Sequence, residues 1–468
     1  MTSANILICD LVGLQFDAKG NPDFSEAKAF IEAKDGVFHE GGIETVGAIA
    51  PGKLNFFYQP DLSTREELLA AAGEGRYDAV IAAATFIPAE AKFRWGGVRI
   101  GAGTGNMGSA SWGGGSGNGG EAPLMNTPGI NSRATAQMVM KALLRVRPDL
   151  PVETLDALVS AGDFDTGKRL RDFPTAKLEG KRMAVIGYGN IGREVAKLAQ
   201  AFGMHVVVHA RPRHRRWIEA EGFAYAQTPL DAARGADVLS VHVGLGSFDD
   251  AAKRYANAGL IGASVLDALN RDAVVINYDR GELIDVDALA AAMASGRVAH
   301  ASIDADLFKD AETGALTGPM VPYLSLVEGY ADRLELLPHA AADTDHPSRV
   351  AGAKQAIEQI YEAIVNRRVY NLKGTLPAGY VDMGPKVPPG IGGVTAARLT
   401  ALAADERSVA MLAASSATVA MFWERVAKTV SAEERQALVA LEGDKLVEAV
   451  NRLSAQLRLH GFSGPFLP

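Results

Sequence analysis

Cysteine is almost missing from this chain. Cys9 is the one cysteine in 468 residues, so neither an intrachain disulfide nor a cluster of thiolate metal ligands can be built. No apolar run reaches the roughly 18 residues that a membrane helix needs, and the start shows no charged-then-apolar leader. A soluble, cytoplasmic protein is therefore expected. An excess of charge is missing too: 47 Lys and Arg against 55 Asp and Glu leave a formal charge of −8. Composition thus gives no reason to expect nucleic acid or a membrane as partner. The length suits two or three domains.

What the chain does have is a glycine fingerprint. Met183 to Ile186 is a short apolar run that reads as a buried parallel strand, and it breaks into Gly187-Tyr188-Gly189-Asn190-Ile191-Gly192. A helix pattern follows to Phe202, and Val206 to Val208 closes a strand–helix–strand unit. Gly187 makes the tight turn, Gly189 lets the backbone approach a pyrophosphate, and Gly192 lets helix and strand pack closely. The helix start adds unpaired N–H groups and the positive end of its dipole. This is the pattern of a dinucleotide site.

The end of the second strand bears on which dinucleotide. An NAD site usually carries an acid there for the ribose 2′-hydroxyl. Eighteen residues after Gly192 stands Ala210, followed by Arg211, Pro212, Arg213, His214, Arg215 and Arg216. With no acid to repel it, a 2′-phosphate can sit among guanidinium groups, whose planar fork matches phosphate. Arg211 and Arg213 are the candidates, and NADP is favoured, with NAD second.

Along the chain, strands are expected at Ala4 to Leu11, Ala79 to Ala84, Val98 to Ile100, Val238 to Val243, Ala273 to Ile276 and Ala299 to Ile303. Helix patterns lie at Ser25 to Ala33, Arg65 to Ala72, Arg133 to Val146, Val286 to Ser295 and Ser348 to Asn366. The alternation predicts an α/β protein with a doubly wound parallel (Rossmann) sheet and ligands at the carboxyl ends of its strands. Ten glycines fall in residues 101–120. Residues 108–120 are open between a flexible surface insertion and a functional loop. Backbone N–H groups of 101–105, just after a strand, could bind an anion. Leu376 to Ile391 reads as a Pro- and Gly-rich linker. Beyond it, Ser431-Ala-Glu-Glu434 is a capping box before an amphipathic face of Leu438, Leu441, Leu446, Val450, Leu453 and Leu457, with Gly461 as terminator.

Several motifs in order resemble the D-isomer-specific 2-hydroxyacid dehydrogenase family over roughly residues 75–375. They are Gly101-Ala-Gly103, the glycine fingerprint, Val241-His-Val243, Asn277-Tyr-Asp-Arg280-Gly281 with Asp285, Gly296-Arg with Asp304, and Pro338-His339 with Thr344. The resemblance implies a nucleotide domain at 136–336 and a smaller flavodoxin-like substrate domain built from 1–135 and 337–375. A helical extension at 380–468 lies outside it. It also implies a homodimer, a small 2-keto or 2-hydroxy acid as substrate, and cofactor contacts at Val243, Gly244, Tyr278 and Asp304, the last for the nicotinamide carboxamide. Asn131 matches a substrate-facing asparagine. Ala210-Arg211-Pro212-Arg213 looks like the loop of NADP-preferring glyoxylate/hydroxypyruvate reductases.

The chemistry asks for hydride at the α-carbon and a proton for the carbonyl oxygen. His339 can give the proton, Arg280 can hold the carboxylate and polarise the carbonyl, and the N–H groups of Ala102 and Gly103 can clamp the carboxylate. One departure stands out. Where the family has a glutamate beside its histidine, five residues after Asp304, this chain has Lys309. Asp310 or Asp306 is expected to take over, Asp310 first. Gly244 and Gln137 replace a usual proline and a usual glutamate. Two alternatives stay open: a formate- or phosphite-type dehydrogenase, and a non-catalytic dinucleotide-sensing scaffold of corepressor type.

Overall fold

The computed structural model describes residues 3–9, 15–16, 22–46, 49–62, 64–146, 151–249, 251–310, 313–339, 346–386 and 396–459. Thr344, Gly461, the end of the first expected strand and residues 387–391 of the expected linker lie outside them. The chain divides into two compact units. One comprises Met1–Pro212 with Tyr225–Pro388, the other Arg213–Ala224 with Pro389–Pro468.

The first unit holds two seven-stranded sheets. The first contains β1 (Ala4–Ile8), β2 (Val37–Glu40), β3 (Leu54–Tyr58), β4 (Ala79–Ala82), β5 (Gly96–Arg99) and β6 (Leu124–Asn126). They run parallel in the order β6-β5-β4-β1-β3-β2. β1 and β3 are buried on both faces, which is why Ala-Asn-Ile-Leu-Ile and Leu-Asn-Phe-Phe-Tyr show no alternation. β3, like β2 and β6, carries no period-2 signal and is not legible as a strand. Helix α1 (Ser25–Glu32) covers one face and α2 (Arg65–Ala72), with a complete capping box at Thr64 and Glu67, the other.

The glycine-rich stretch is a packed element of this sheet's second face. Trp112 is fully buried with Phe93, Met107 and Leu124, and its Nε1 donates to the Met107 carbonyl at 2.8 Å. A Cβ on Gly117 would stand 2.1 Å from the Lys373 carbonyl oxygen, and one on Gly120 2.1 Å from Trp112 Cα. These glycines serve close backbone approach, and a flexible insertion at 108–120 is ruled out.

The second sheet holds β7 (Arg182–Ile186), β8 (His205–His209), β9 (Ala224–Ala226), β10 (Val238–Val241), β11 (Ala273–Asn277), β12 (Val298–Ala305) and β13 (Leu334–Pro338). Their order is β9-β8-β7-β10-β11-β12-β13, with β7, β8, β10, β11, β12 and β13 parallel. This is the expected doubly wound sheet, with a core of Ala184, Ile186, Val207, Leu239, Val275 and Ile303 among others. β13, unmarked in the sequence, matters most, since it carries His339 at its carboxyl end. Helix α3 (Ser132–Val146) packs on α4 (Asn190–Ala201). α5 is Val286–Ala294, capped by Asp285 on Ala288 N–H at 3.0 Å. α6 (His346–Tyr361) and β14 (Leu372–Lys373) return the chain to the first sheet. Ala353, Ile357 and Ile360 enter its core, and β14 pairs antiparallel with β6.

The second unit contains α7 (Ala396–Ala403), α8 (Glu406–Ala427) and α9 (Ala432–Leu459). α8 and α9 form an antiparallel pair, fixed by Ser408 Oγ donating to Gln456 Oε1 at 2.9 Å and by an Arg425–Glu442 ion pair. Ser431 caps α9 as expected, accepting from Glu434 N–H at 3.1 Å. The Glu434 carboxylate reaches back to Val430 N–H at 2.8 Å. Leu438 is buried and Leu446, Val450, Leu453 and Leu457 half-buried, whereas Leu441 is 75% exposed. The buried stripe passes beside Leu441. No described helix is long and apolar enough to cross a membrane.

Candidate active site

The glycine loop after β7 is shaped for a pyrophosphate. Gly187 has φ +107°, and a Cβ there would lie 2.0 Å from the His242 carbonyl oxygen. Gly192 is buried against the Gly187 carbonyl, so α4 starts close to the strand. A Cβ on Gly189 would meet nothing within 4 Å, and Gly189 caps α4 without any side-chain hydrogen bond. The first-turn N–H groups thus open onto exposed Gly189 and Asn190, where a phosphate can approach. Tyr188 is buried and Ile191 half-buried at the flank. Beneath the loop, burial pushes His242 down to about 3, so its ring is neutral. Nε2 shares a 2.7 Å hydrogen bond with Ser240 Oγ, while Nδ1 is buried and unpartnered. The loop fits a dinucleotide.

Ala210 is buried at the end of β8, and Arg211 follows it, exposed. Arg213 belongs to the second unit, where its Nε donates to His214 Nε2 at 3.3 Å. Val243 is half-buried and Gly244 exposed beyond the carboxyl end of β10. Tyr278 is buried and its hydroxyl donates to Glu335 Oε1 at 2.7 Å, with burial pushing the phenol up to about 12. Its backbone is what remains for a cofactor. Glu335 is also paired with Arg145 of α3, so a charged network ties α3 to the ends of β11 and β13.

Next to this network the sheet brings together Arg280, His339 and Asp304. β12 and β13 are in register, Asp304 opposite Leu337 and Ala305 opposite Pro338, and His339 N–H donates to the Ala305 carbonyl at 3.1 Å. The Asp304 carboxylate accepts from His339 Nδ1 at 2.7 Å. Arg280 donates to His339 Nε2. A guanidinium can only donate, so Nε2 is the acceptor here and the ring hydrogen lies on Nδ1, facing Asp304. The turn that carries Arg280 is fixed by Asn277 Nδ2 donating to the Arg280 carbonyl at 2.8 Å.

Two sequence expectations change here. Asp310 does not supply the histidine's carboxylate. Its Oδ1 accepts from Thr313 N–H and Oγ1, both at 2.7 Å, in a hairpin between Phe308–Lys309 and Leu316–Thr317. Lys309 is exposed on that hairpin. Asp304, expected at the nicotinamide, is the carboxylate that holds His339. Thirty-five positions separate the two in sequence, and only the β12–β13 register shows that they meet. Asp279, half-buried beside Arg280, belongs to the Asn277–Gly281 motif, and the sequence alone gives it no role.

The Gly101–Gly103 loop lies at the carboxyl end of β5. Gly101 N–H donates to Thr127 Oγ1 at 2.8 Å, and the Ala102 carbonyl accepts from Asn126 Nδ2 at 2.6 Å. Buried Gln359 of α6 in turn donates to the Asn126 carbonyl at 3.0 Å. Ala102 and Gly103 are exposed, and a Cβ on Gly103 would meet open space. Asn131 is half-buried just before α3.

A parallel sheet with a glycine fingerprint and a bonded Arg, His and Asp at its carboxyl edge defines a dinucleotide-binding fold with a candidate acid–base site. Residues 151–320 match the family model "D-isomer specific 2-hydroxyacid dehydrogenase, NAD binding domain". A glyoxylate reductase of Aeropyrum pernix is 32% identical over 240 residues, 51% of this chain and 65% of that protein. A D-3-phosphoglycerate dehydrogenase of Methanocaldococcus jannaschii is 27% identical over 57% of this chain and 44% of that protein. The chain thus spans less than two thirds of the length of either. A solved Polaromonas structure assigned to the same family covers 79% of this chain and 99% of its own, at a TM-score of 0.53 and 21% identity, which speaks to fold. Over residues 151–320 the chain is thus similar to the NAD-binding domain of the D-isomer-specific 2-hydroxyacid dehydrogenases.

Proposed function

We propose that this protein is a cytoplasmic, homodimeric NADPH-linked reductase that converts a small 2-keto acid to its D-2-hydroxy acid, or runs the reverse. The observation that carries this reading is the chain of bonds Asp304–His339–Arg280 at the same sheet edge as the glycine loop. Gly187–Gly192, Val243, Gly244 and the Tyr278 backbone would hold NADPH, with Arg211 at its 2′-phosphate, and the bound cofactor would supply the hydride.

The chain's own residues do the rest. Arg280 leaves His339 Nε2 for the substrate carboxylate and carbonyl oxygen, which its fork can grip together. N–H groups of exposed Ala102 and Gly103 take the other side of the carboxylate, and Asn131 borders the pocket. Nε2, released from Arg280, takes up a proton and passes it to the carbonyl oxygen as charge builds there. Asp304 fixes the ring through Nδ1 and offsets the charge of the imidazolium. Proton uptake thus accompanies substrate binding. The reading is tested by following NADPH and NADH oxidation with glyoxylate, hydroxypyruvate and longer 2-keto acids. Turnover with NADPH well above NADH supports it, and no turnover with any keto acid removes it.

A further inference from the structure

The site contains a second carboxylate that the steps above do not use. Asp279 follows β11 directly before Arg280. Register places Asn277 opposite Ile303 on β12, so the backbone two residues on reaches the level of Ala305, which Pro338 faces from β13. Asp279, Asp304 and His339 therefore leave three adjacent strands at one edge. The turn is pinned, with Asp279 N–H donating to Asn277 Oδ1 at 3.3 Å and the Asp279 carbonyl accepting from Arg280 at 3.0 Å. Among the described residues none hydrogen-bonds the Asp279 carboxyl oxygens. The charged groups acting on them are Arg280 from its own turn, His339 from the end of β13 and Asp304 from β12. Glu335 and Arg145 nearby are paired with each other, and Lys309 lies exposed on its hairpin.

We propose that Asp279 is a positioning residue whose carboxylate completes the charge balance around His339 and Arg280 and so sets the pH above which keto-acid reduction fails. With His339 protonated, two positive groups face two negative ones. Without Asp279 the cluster carries one excess positive charge, and the imidazolium is disfavoured. Burial pushes the Asp279 carboxyl up to about 6, so the effect is expressed at neutral pH and fades below it. The proposal rests on the reductase reading, and it makes Asp279 stand in for the charge that Lys309 does not provide.

The test pairs two readouts on the full chain. His339 is titrated by NMR of protein labelled at histidine Cε1, its signal identified by its loss in His339→Gln, in wild type, Asp279→Asn and Asp279→Glu. The pH profile of 2-keto acid reduction is measured on the same proteins. In Asp279→Asn the His339 midpoint and the alkaline limb should both fall by about one pH unit, with Asp279→Glu close to wild type. An unchanged His339 midpoint in Asp279→Asn overturns the proposal. A shifted midpoint in a protein that reduces no keto acid upholds the charge role and rejects the reductase reading instead. Should Asp279→Asn not fold, Asp279→Ser takes its place.

Discussion

Replacing Asp279 by asparagine removes a charge that the fold has difficulty holding, and stability should report it. Burial raises this carboxyl from 3.8 to about 6, against the opposing pull of Arg280 and His339. Below the unfolded value of 3.8 the group is neutral in both states and costs nothing. As pH rises through 6, the unfolded chain has already released the proton and the folded chain must carry a poorly hydrated anion. Folding thus loses stability across that window. Each pH unit between the folded and unfolded values is worth about 1.4 kcal/mol, so the loss reaches about 3 kcal/mol at neutral pH. Asn keeps the shape without the charge, so Asp279→Asn should be more stable than wild type by up to about 3 kcal/mol at pH 7.5 and by almost nothing near pH 4. Urea unfolding of both proteins at pH 4, 5, 6 and 7.5 measures this. A difference of the same size at every pH, or a loss at pH 7.5, would refute the reasoning.

Other expectations follow from single contacts. Arg211→Ala should weaken NADPH binding by about 1.5–3 kcal/mol, roughly tenfold or more, and leave NADH nearly unchanged; equal NADPH affinity by fluorescence titration removes Arg211 from the 2′-phosphate. Asp304→Asn should lower kcat for reduction by about a hundredfold or more with a smaller change in NADPH affinity. If NADPH affinity falls and kcat holds, Asp304 serves the nicotinamide. Trp112→Ala should destabilise by about 3–5 kcal/mol, seen in thermal unfolding, because Trp112 anchors the glycine-rich stretch. A change within about 0.5 kcal/mol would return that stretch to a surface loop.

The nucleotide sheet was legible because its signals are local. Gly187, Gly189 and Gly192 fall within six residues and the flanking runs have clear lengths, although the carbonyl that Gly187 must clear belongs to distant His242. β3 was not, since Leu-Asn-Phe-Phe-Tyr is buried on both faces and shows no period. β13 hides because Leu334–Pro338 mixes Glu335 into an apolar run, and that glutamate faces a partner, Tyr278, 57 positions away. Residues 108–120 have the composition of a linker, yet their glycines are required by the backbone at Lys373 and Trp112, contacts invisible in composition. Arg280 and His339 were found through motifs. The identity of the histidine's carboxylate was not, because it depends on strand register, and the motif pointed Asp304 to the nicotinamide.

The most direct test of the account is single-turnover oxidation of NADPH by a 2-keto acid in wild type and His339→Gln, with NADPH binding measured separately. The predicted result is rapid oxidation in wild type and a loss of about a hundredfold or more in His339→Gln, with NADPH bound equally by both. Equal rates in the two proteins, or a wild type that binds NADPH and oxidises it with no keto acid, would contradict it.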